Sequence, residues 1–263
     1  MDLELTGKRA FVSGSTAGIG RAIAASLARE GARVIVNGRT QEAVHKTIAA
    51  IARETSGDVH GFAGDLGEAQ AAEALQRAHP EIDILINNLS IFEPKPFEDI
   101  PDPDWMRFFE VNVLSGVRLA RLYLPGMKRA NWGRIIFISS ESALQIPPEM
   151  IHYGVTKAAE IAVARGLAES VAGTGITVNS VLPGPTRSRG VSDFVEQLAR
   201  AGGKSAAEVE TDFFARMRPT SLIKRFATPE EVASLVSYVA SPLASAVTGA
   251  ALRVDGGVVK SAF

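Results

Sequence analysis

Cysteine is absent from the 263-residue chain, which removes disulfides, thiolate nucleophiles and thiolate metal ligands together. Histidine is scarce. His45, His60, His79 and His152 are scattered with no two at ligand-like spacing, whereas a zinc site needs three or four N, S or O donors converging. An excess of either charge is missing too: the formal net charge is −1, so no broad basic surface attracts a phosphate polymer, and nucleic acid is not expected as a partner. No apolar run approaches the ~20 residues that a membrane helix requires. Met1 to Lys8 carries Asp2 and Glu4 and lacks the apolar core and small-residue cleavage site of a secretory signal. The expectation is a cytoplasmic protein without metal or membrane attachment.

What is present is alternation. Short runs rich in Val, Ile and Phe recur at Arg9–Ser13, Arg33–Asn37, Val59–Ala63, Ile82–Asn87, Arg134–Ser139, Thr177–Leu182 and Ala250–Val254. Several are almost continuously apolar, as parallel strands covered on both faces should be. Between them, Ile23 and Leu27, then Val44, Ile48 and Ile51, recur at three- and four-residue spacing, which lays one face of a helix on a sheet. Strand, helix, strand, repeated, predicts an α/β fold: one doubly wound domain over 1–263, a parallel seven-stranded sheet with helices on both faces, and ligand-binding residues at the carboxyl ends of the strands. The least regular part, Pro183–Leu222, reads as a lid or a surface insertion. Within it Phe194, Phe213, Phe214 and Met217 are candidates to close over an apolar ligand.

Directly after the first strand comes Gly14-Ser15-Thr16-Ala17-Gly18-Ile19-Gly20, and then a helix begins. Glycines there allow a tight turn, let backbone N–H groups approach a pyrophosphate, and bring helix and sheet together. Between a strand and a helix they favour dinucleotide binding over a structural turn. The second strand ends Val36-Asn37-Gly38-Arg39, where a NAD site usually carries an acidic residue. Arg39 can instead offer its planar fork to a 2′-phosphate, which favours NADP(H) while leaving NAD(H) open. Its alternative is a solvated arginine at a helix start. Asp65, followed by Leu66 after the third strand, either accepts from an adenine amino group or caps a helix.

Tyr153 and Lys157 lie at i and i+4 in the Ala-rich segment Met150–Ala172, whose pattern reads as a helix. An unperturbed phenol titrates near ~10, too high for acid–base work at neutral pH unless a nearby cation favours the phenolate, and Lys157 is the candidate cation. Ser140, thirteen residues before Tyr153 at the end of the fifth strand, can donate to a substrate oxygen as charge develops.

Taken together, Gly14 to Gly20, Asn87-Asn88, Asn112, Ser140, Tyr153, Lys157, Asn179 to Gly184 and Val254-Asp255-Gly256-Gly257 resemble the short-chain dehydrogenase/reductase family, over nearly the whole chain. The resemblance implies a Rossmann-type fold and hydride transfer between a nicotinamide cofactor and a carbonyl or secondary alcohol. It also implies roles: Tyr153 as acid–base residue, Ser140 orienting the substrate, Lys157 bonding the nicotinamide ribose, and Asn112 holding a water that links to Lys157. Asn88, Pro183 and Gly184 stand near the cofactor, and the segment after Pro183-Gly184 meets its carboxamide, with Thr186 and Ser188 as the candidates. Two departures stand out. The family's Asn-Asn-Ala-Gly reads Asn87-Asn88-Leu89-Ser90 here, so Ser90 either shifts the nicotinamide pocket or points away, and Ala17 replaces the basic residue frequent in NADP-preferring members.

The substrate end is expected to be a mixed, largely apolar lining that includes Glu141, Gln145 and Ile146, suited to a medium-sized ketone or alcohol. Glu141 either reads a substrate amine or hydroxyl or faces solvent, as most carboxylates do. Arg187 and Arg189 are candidates to meet an acid group or the cofactor phosphate, and His152 points away from the chemistry. A 3-oxoacyl thioester and a free ketone, sugar or steroid stay open as substrates. A homotetramer or homodimer is implied by the resemblance. The competing class is a catalytically silent nucleotide-binding scaffold, since fold alone does not fix function. Replacing Tyr153 with phenylalanine is expected to lower turnover by about 10²–10⁴-fold, the range for positioned acid–base groups, with nucleotide affinity unchanged; nicotinamide absorbance and a fluorescence titration check the two halves.

Overall fold

The structure, a computed structural model, describes residues 2–188, 191, 196, 199–200 and 202–262. Seven strands form one sheet: β1 (Arg9–Val12), β2 (Arg33–Gly38), β3 (Val59–Ala63), β4 (Ile84–Asn87), β5 (Gly133–Ile138), β6 (Ile176–Pro183) and β7 (Ala251–Val254). Their order is β3-β2-β1-β4-β5-β6-β7, with every pairing parallel. Each runs within about two residues of the stretch read from the sequence, as expected where burial on both faces writes an unbroken apolar run.

Helices cover the two faces: α1 (Gly18–Arg29), α2 (Gln41–Thr55), α3 (Ala69–Ala78), α4 (Asp102–Phe108), α5 (Ser115–Ala130), α6 (Ile151–Ser170), α7 (Ala206–Arg216) and α8 (Pro229–Ala240). Strand side chains alternate between two cores. Ala10, Val12, Ile84, Ile86, Ile136 and Ile138 face α1, α2 and α8, while Phe11, Leu85, Ile135 and Phe137 face α3, α5 and α6. This two-residue period is that of a pleated strand, and each of the Val, Leu, Ile and Phe side chains fully buried stabilises the fold by about 1.5–3 kcal/mol. At the amino end of the sheet, Arg134 is buried, and its guanidinium donates to the carbonyls of Gly133, Gly175 and Ser241. A buried charge is tolerable there because three acceptors surround it.

The strand order reverses between β1 and β4, which opens a crevice at their carboxyl ends. Ser13 joins the two there: its hydroxyl donates to Ile86 O and accepts from the backbone N–H groups of Asn88 and Leu89 at 2.8 and 2.9 Å. Helices α4 and α5 are joined by one π-helical stretch, Phe109–Leu114, which carries Asn112. Such bulges concentrate at functional sites.

The irregular segment departs from the expectation of aromatics poised over a ligand. Phe213, Phe214 and Phe226 stack on one another with centroids 5.0–5.1 Å apart and, with Val209 and Ala199, form a small core of their own. Aromatic faces that satisfy each other are not free to line a pocket. Met217 is partly exposed, and Phe194 lies outside the described residues. His152 is fully buried against Phe108 and Trp105, at ring separations of 4.0 and 6.0 Å, a packing role that agrees with its direction on the helix.

Candidate active site

The glycine-rich turn is built as a cradle. Gly14 and Gly18 adopt φ of +58° and +55°, a region that side chains avoid. A Cβ at Gly20 would stand 2.5 Å from Asn88 Nδ2 and 2.6 Å from Gly14 O, so only glycine lets α1 begin this close to the strand ends. Helix α1 starts without a side-chain cap or an acidic residue in its first turn. Its leading N–H groups therefore carry no internal side-chain acceptor, and the helix dipole favours an anion there. A dinucleotide pyrophosphate fits this arrangement.

Around the cradle, the predicted residues divide. Thr16 and Ile19 are partly exposed. Ser15 turns inward and is fully buried: its hydroxyl donates to Val12 O and accepts from Asn37 N–H, and its own N–H donates to Asn37 O. It braces the turn, and its polar groups do not face a ligand. Asn88 donates from Nδ2 to Ser13 O at 2.9 Å and Gly14 O at 3.1 Å, holding the turn from the β4 side. Arg39 is exposed, and its guanidinium makes no ion pair or hydrogen bond to the described residues, which leaves its fork available. Thr40, beside it, caps α2. Asp65 does not cap α3, whose N-cap is Glu68; its carboxylate instead accepts from Gly67 N–H at 3.0 Å. The Leu66 side chain is part of the core. From the far side, Pro183 ends β6, Thr186 bridges to Ala227, and Ser188 comes within van der Waals reach of a Cβ placed on Gly18. Arg187 is not free to meet a ligand, because it pairs with Glu210 and lies 5.5 Å over the Phe226 ring. Arg189 lies outside the described residues.

At the chemical end, β5 and α6 are cross-tied. Ser139 Oγ–H donates to Lys157 O at 2.8 Å, and Lys157 Nζ donates back to Ile138 O at 2.9 Å. Asn112 donates from Nδ2 to Ile91 O and to Thr156 Oγ1, both at 3.0 Å, and accepts from Ile91 N–H at 2.8 Å. It thus fastens the segment after β4 to α6. Ser140, at the end of β5, donates to Glu141 Oε2 at 2.6 Å and accepts from Ser142 N–H at 3.1 Å. Ser90 Oγ is buried without a hydrogen-bond partner among the described residues.

Glu141 does not face solvent. It is 5 % exposed, and Arg218, arriving just after α7, reaches it at 3.3 Å and Glu149 at 3.2 Å. A buried carboxylate, a guanidinium and a second carboxylate therefore stand where a mostly apolar lining was expected. The apolar part survives at the rim, in Phe92, Leu144 and Ile146, all exposed. Gln145 sits there too, its amide 3.4 Å from Thr220 Oγ1.

The phenol of Tyr153 also departs from expectation. Burial pushes it above the ordinary tyrosine value, the Glu141 and Glu160 carboxylates push it further, and the neighbouring Ser140 hydroxyl and the Arg218 charge act the other way. The Lys157 charge is met close at hand by an opposite one: Glu160, one turn further along α6, holds Nζ through both carboxylate oxygens at 3.0 and 3.2 Å. Ser139, Glu160 and Arg218 were not singled out from the sequence. Only Glu160's position, three residues past a candidate lysine on one helix face, could have drawn notice.

A family model described as "Enoyl-(Acyl carrier protein) reductase" matches residues 14–259. The chain belongs to the short-chain dehydrogenase/reductase family. It is 49% identical to "Uncharacterized oxidoreductase YvaG" of Bacillus subtilis over the whole of both chains. It is 34% identical to a D-beta-hydroxybutyrate dehydrogenase of Cupriavidus necator, covering 97% of this chain and 99% of that one. Its fold superimposes on L-sorbose reductase from Gluconobacter frateurii, solved with NADPH and L-sorbose, with a TM-score of 0.93 at 30% identity, covering 99% of this chain and 100% of that one. As a member, the protein is an NAD(P)-dependent dehydrogenase/reductase acting on hydroxyl and carbonyl groups. Gly20→Ala should weaken NADPH binding at least tenfold, read by nicotinamide fluorescence, because its Cβ must displace Asn88 or the Gly14 carbonyl.

Proposed function

We propose that this enzyme reduces a hydroxylated ketone of the sugar or polyol type with NADPH, and oxidises the corresponding alcohol in reverse. The observation that carries this reading is the buried Glu141, joined to Arg218 and Glu149 beside Ser140. Burying charges is costly unless polar partners meet them, so a charged cluster beside Ser140 favours a substrate rich in hydroxyls over an acyl chain or a steroid. The likeness to L-sorbose reductase points the same way.

When bound, the nicotinamide supplies or accepts the hydride. Tyr153 protonates the carbonyl oxygen during reduction and takes the alcohol proton during oxidation. Ser140 begins with its O–H donated to Glu141 Oε2. A substrate hydroxyl next to the reacting carbon can donate to Glu141 instead, which frees the serine proton for the substrate oxygen as charge grows there. An unsubstituted ketone brings no such donor, so Ser140 stays engaged. Asn112 acts by holding the Ile91 backbone and Thr156 in place. Arg39, exposed and without an ion-pair partner among the described residues, takes the 2′-phosphate.

The apolar groove between α5 and α6, lined by Val117, Leu124, Pro125, Val163 and Leu167, supports assembly of copies into a homotetramer. Light scattering at micromolar concentration checks it, and a monomer mass would contradict it. For the activity, turnover on L-sorbose and dihydroxyacetone should exceed that on butanone and an acetoacetyl thioester by at least tenfold in kcat/KM. Arg39→Ala should lower kcat/KM about tenfold or more with NADPH and leave NADH nearly untouched. A preference for the thioester would overturn the substrate reading, and tight NADPH binding with no turnover on any carbonyl would favour a silent scaffold.

A further inference from the structure

Glu160 is a carboxylate in the interior, 2 % exposed, on a helix face that otherwise meets β5 and β6. Its hydrogen-bond partner is the Lys157 ammonium, which it holds through both oxygens. An ammonium has three N–H donors and no acceptor. With Ile138 O at 2.9 Å and the two Glu160 oxygens at 3.0 and 3.2 Å, all three are occupied by the protein itself. A ribose hydroxyl that is to accept from Lys157 must therefore displace a charge-assisted bond, the stronger class of hydrogen bond. Resting on the reading of Lys157 as the cofactor's ribose ligand, we propose that Glu160 is a positioning residue that competes with the cofactor for Lys157 and so sets both nucleotide affinity and the charge Tyr153 feels.

The same carboxylate raises Tyr153 from two turns away on α6. Burial pushes Glu160 itself up to about 7, with Lys157 pulling it down. Among the described residues, Lys157 is the charged group that acts on Glu160; Glu141 and Arg218 act on Tyr153 instead. Below that point the carboxyl is neutral and gives Lys157 up readily. Above it the ion pair holds. Cofactor affinity should accordingly fall as pH rises through neutrality.

The test is the dissociation constant of NADH and NADPH, by nicotinamide fluorescence between pH 6 and 9, for wild type, Glu160→Gln and Glu160→Asp. NADH lacks the 2′-phosphate, whose own ionisation is thereby removed. Expected is a three- to tenfold weakening in the wild type across this range. E160Q should be flat and tighter than wild type at the alkaline end by a similar factor, and E160D should recover the slope. Parallel curves for wild type and E160Q, with both folded by thermal melt, overturn the proposal. If E160Q does not fold, the wild type decides alone: an NADH affinity independent of pH sinks it. Lys157→Met separates the two layers, because unchanged affinity there would overturn the site reading together with this proposal, whereas weakened binding in K157M beside parallel E160Q and wild-type curves removes this proposal only.

Discussion

A reciprocal tie between the end of β5 and the middle of α6 fixes the geometry of the candidate site. Ser139 gives a hydrogen bond to the Lys157 carbonyl, and the Lys157 ammonium returns one to the Ile138 carbonyl. One bond runs from strand to helix backbone and the other from helix side chain to strand, so neither element can slide along the other without losing both. Ser140 follows directly on the strand side, and Tyr153 lies one turn before Lys157 on the helix side. Their separation is therefore set by side chain-to-backbone bonds in a buried layer, where a hydrogen bond is worth more than in water. Asn112 adds a third anchor from the π-helical stretch. Groups held this way need no reordering at the moment of reaction, which is the advantage of a preorganised polar site.

Most of this architecture was legible in the sequence because it is written in periodicities. The strands of the central sheet announce themselves by uninterrupted Val, Ile and Phe, and α6 by its small residues; α6 begins at Ile151 and ends at Ser170, inside the predicted Met150–Ala172. Ser140, Tyr153 and Lys157 follow from the end of the fifth strand and the i, i+4 spacing on the helix after it, whereas Asn112 was legible only through the family resemblance. What was not legible is which charged side chains go inside. Glu141 and Glu160 look like surface carboxylates in a string of letters, and charged residues are mostly exposed. Their burial depends on Arg218 and Lys157 arriving from positions 77 and three residues away, and a pairing across 77 residues has no local signal. The lid aromatics misled for the opposite reason. Their count was visible, but their preference for one another over a ligand is a tertiary fact.

The interior charges also bear on the Tyr153 phenol. A lysine one turn from a tyrosine implies an acidic phenol only if the ammonium is otherwise unpaired. Here the ammonium sits in a bidentate ion pair, and two carboxylates bear on the phenol against one guanidinium. The protein on its own thus holds Tyr153 in its protonated form, the form that reduction consumes. The positive charge that would favour the phenolate comes with the oxidised nicotinamide, so acid and base character would follow the cofactor's redox state.

Gly38, the last residue of β2, has one more implication. A Cβ there would meet Thr16 Cγ2 at 2.5 Å, so a side chain at the end of this strand fits only once the Thr16 methyl turns aside. An acidic residue grafted onto position 38 to retune coenzyme choice would therefore act on the glycine-rich turn through its bulk as well as through its charge. Trimming Thr16 to a smaller residue would relieve that contact.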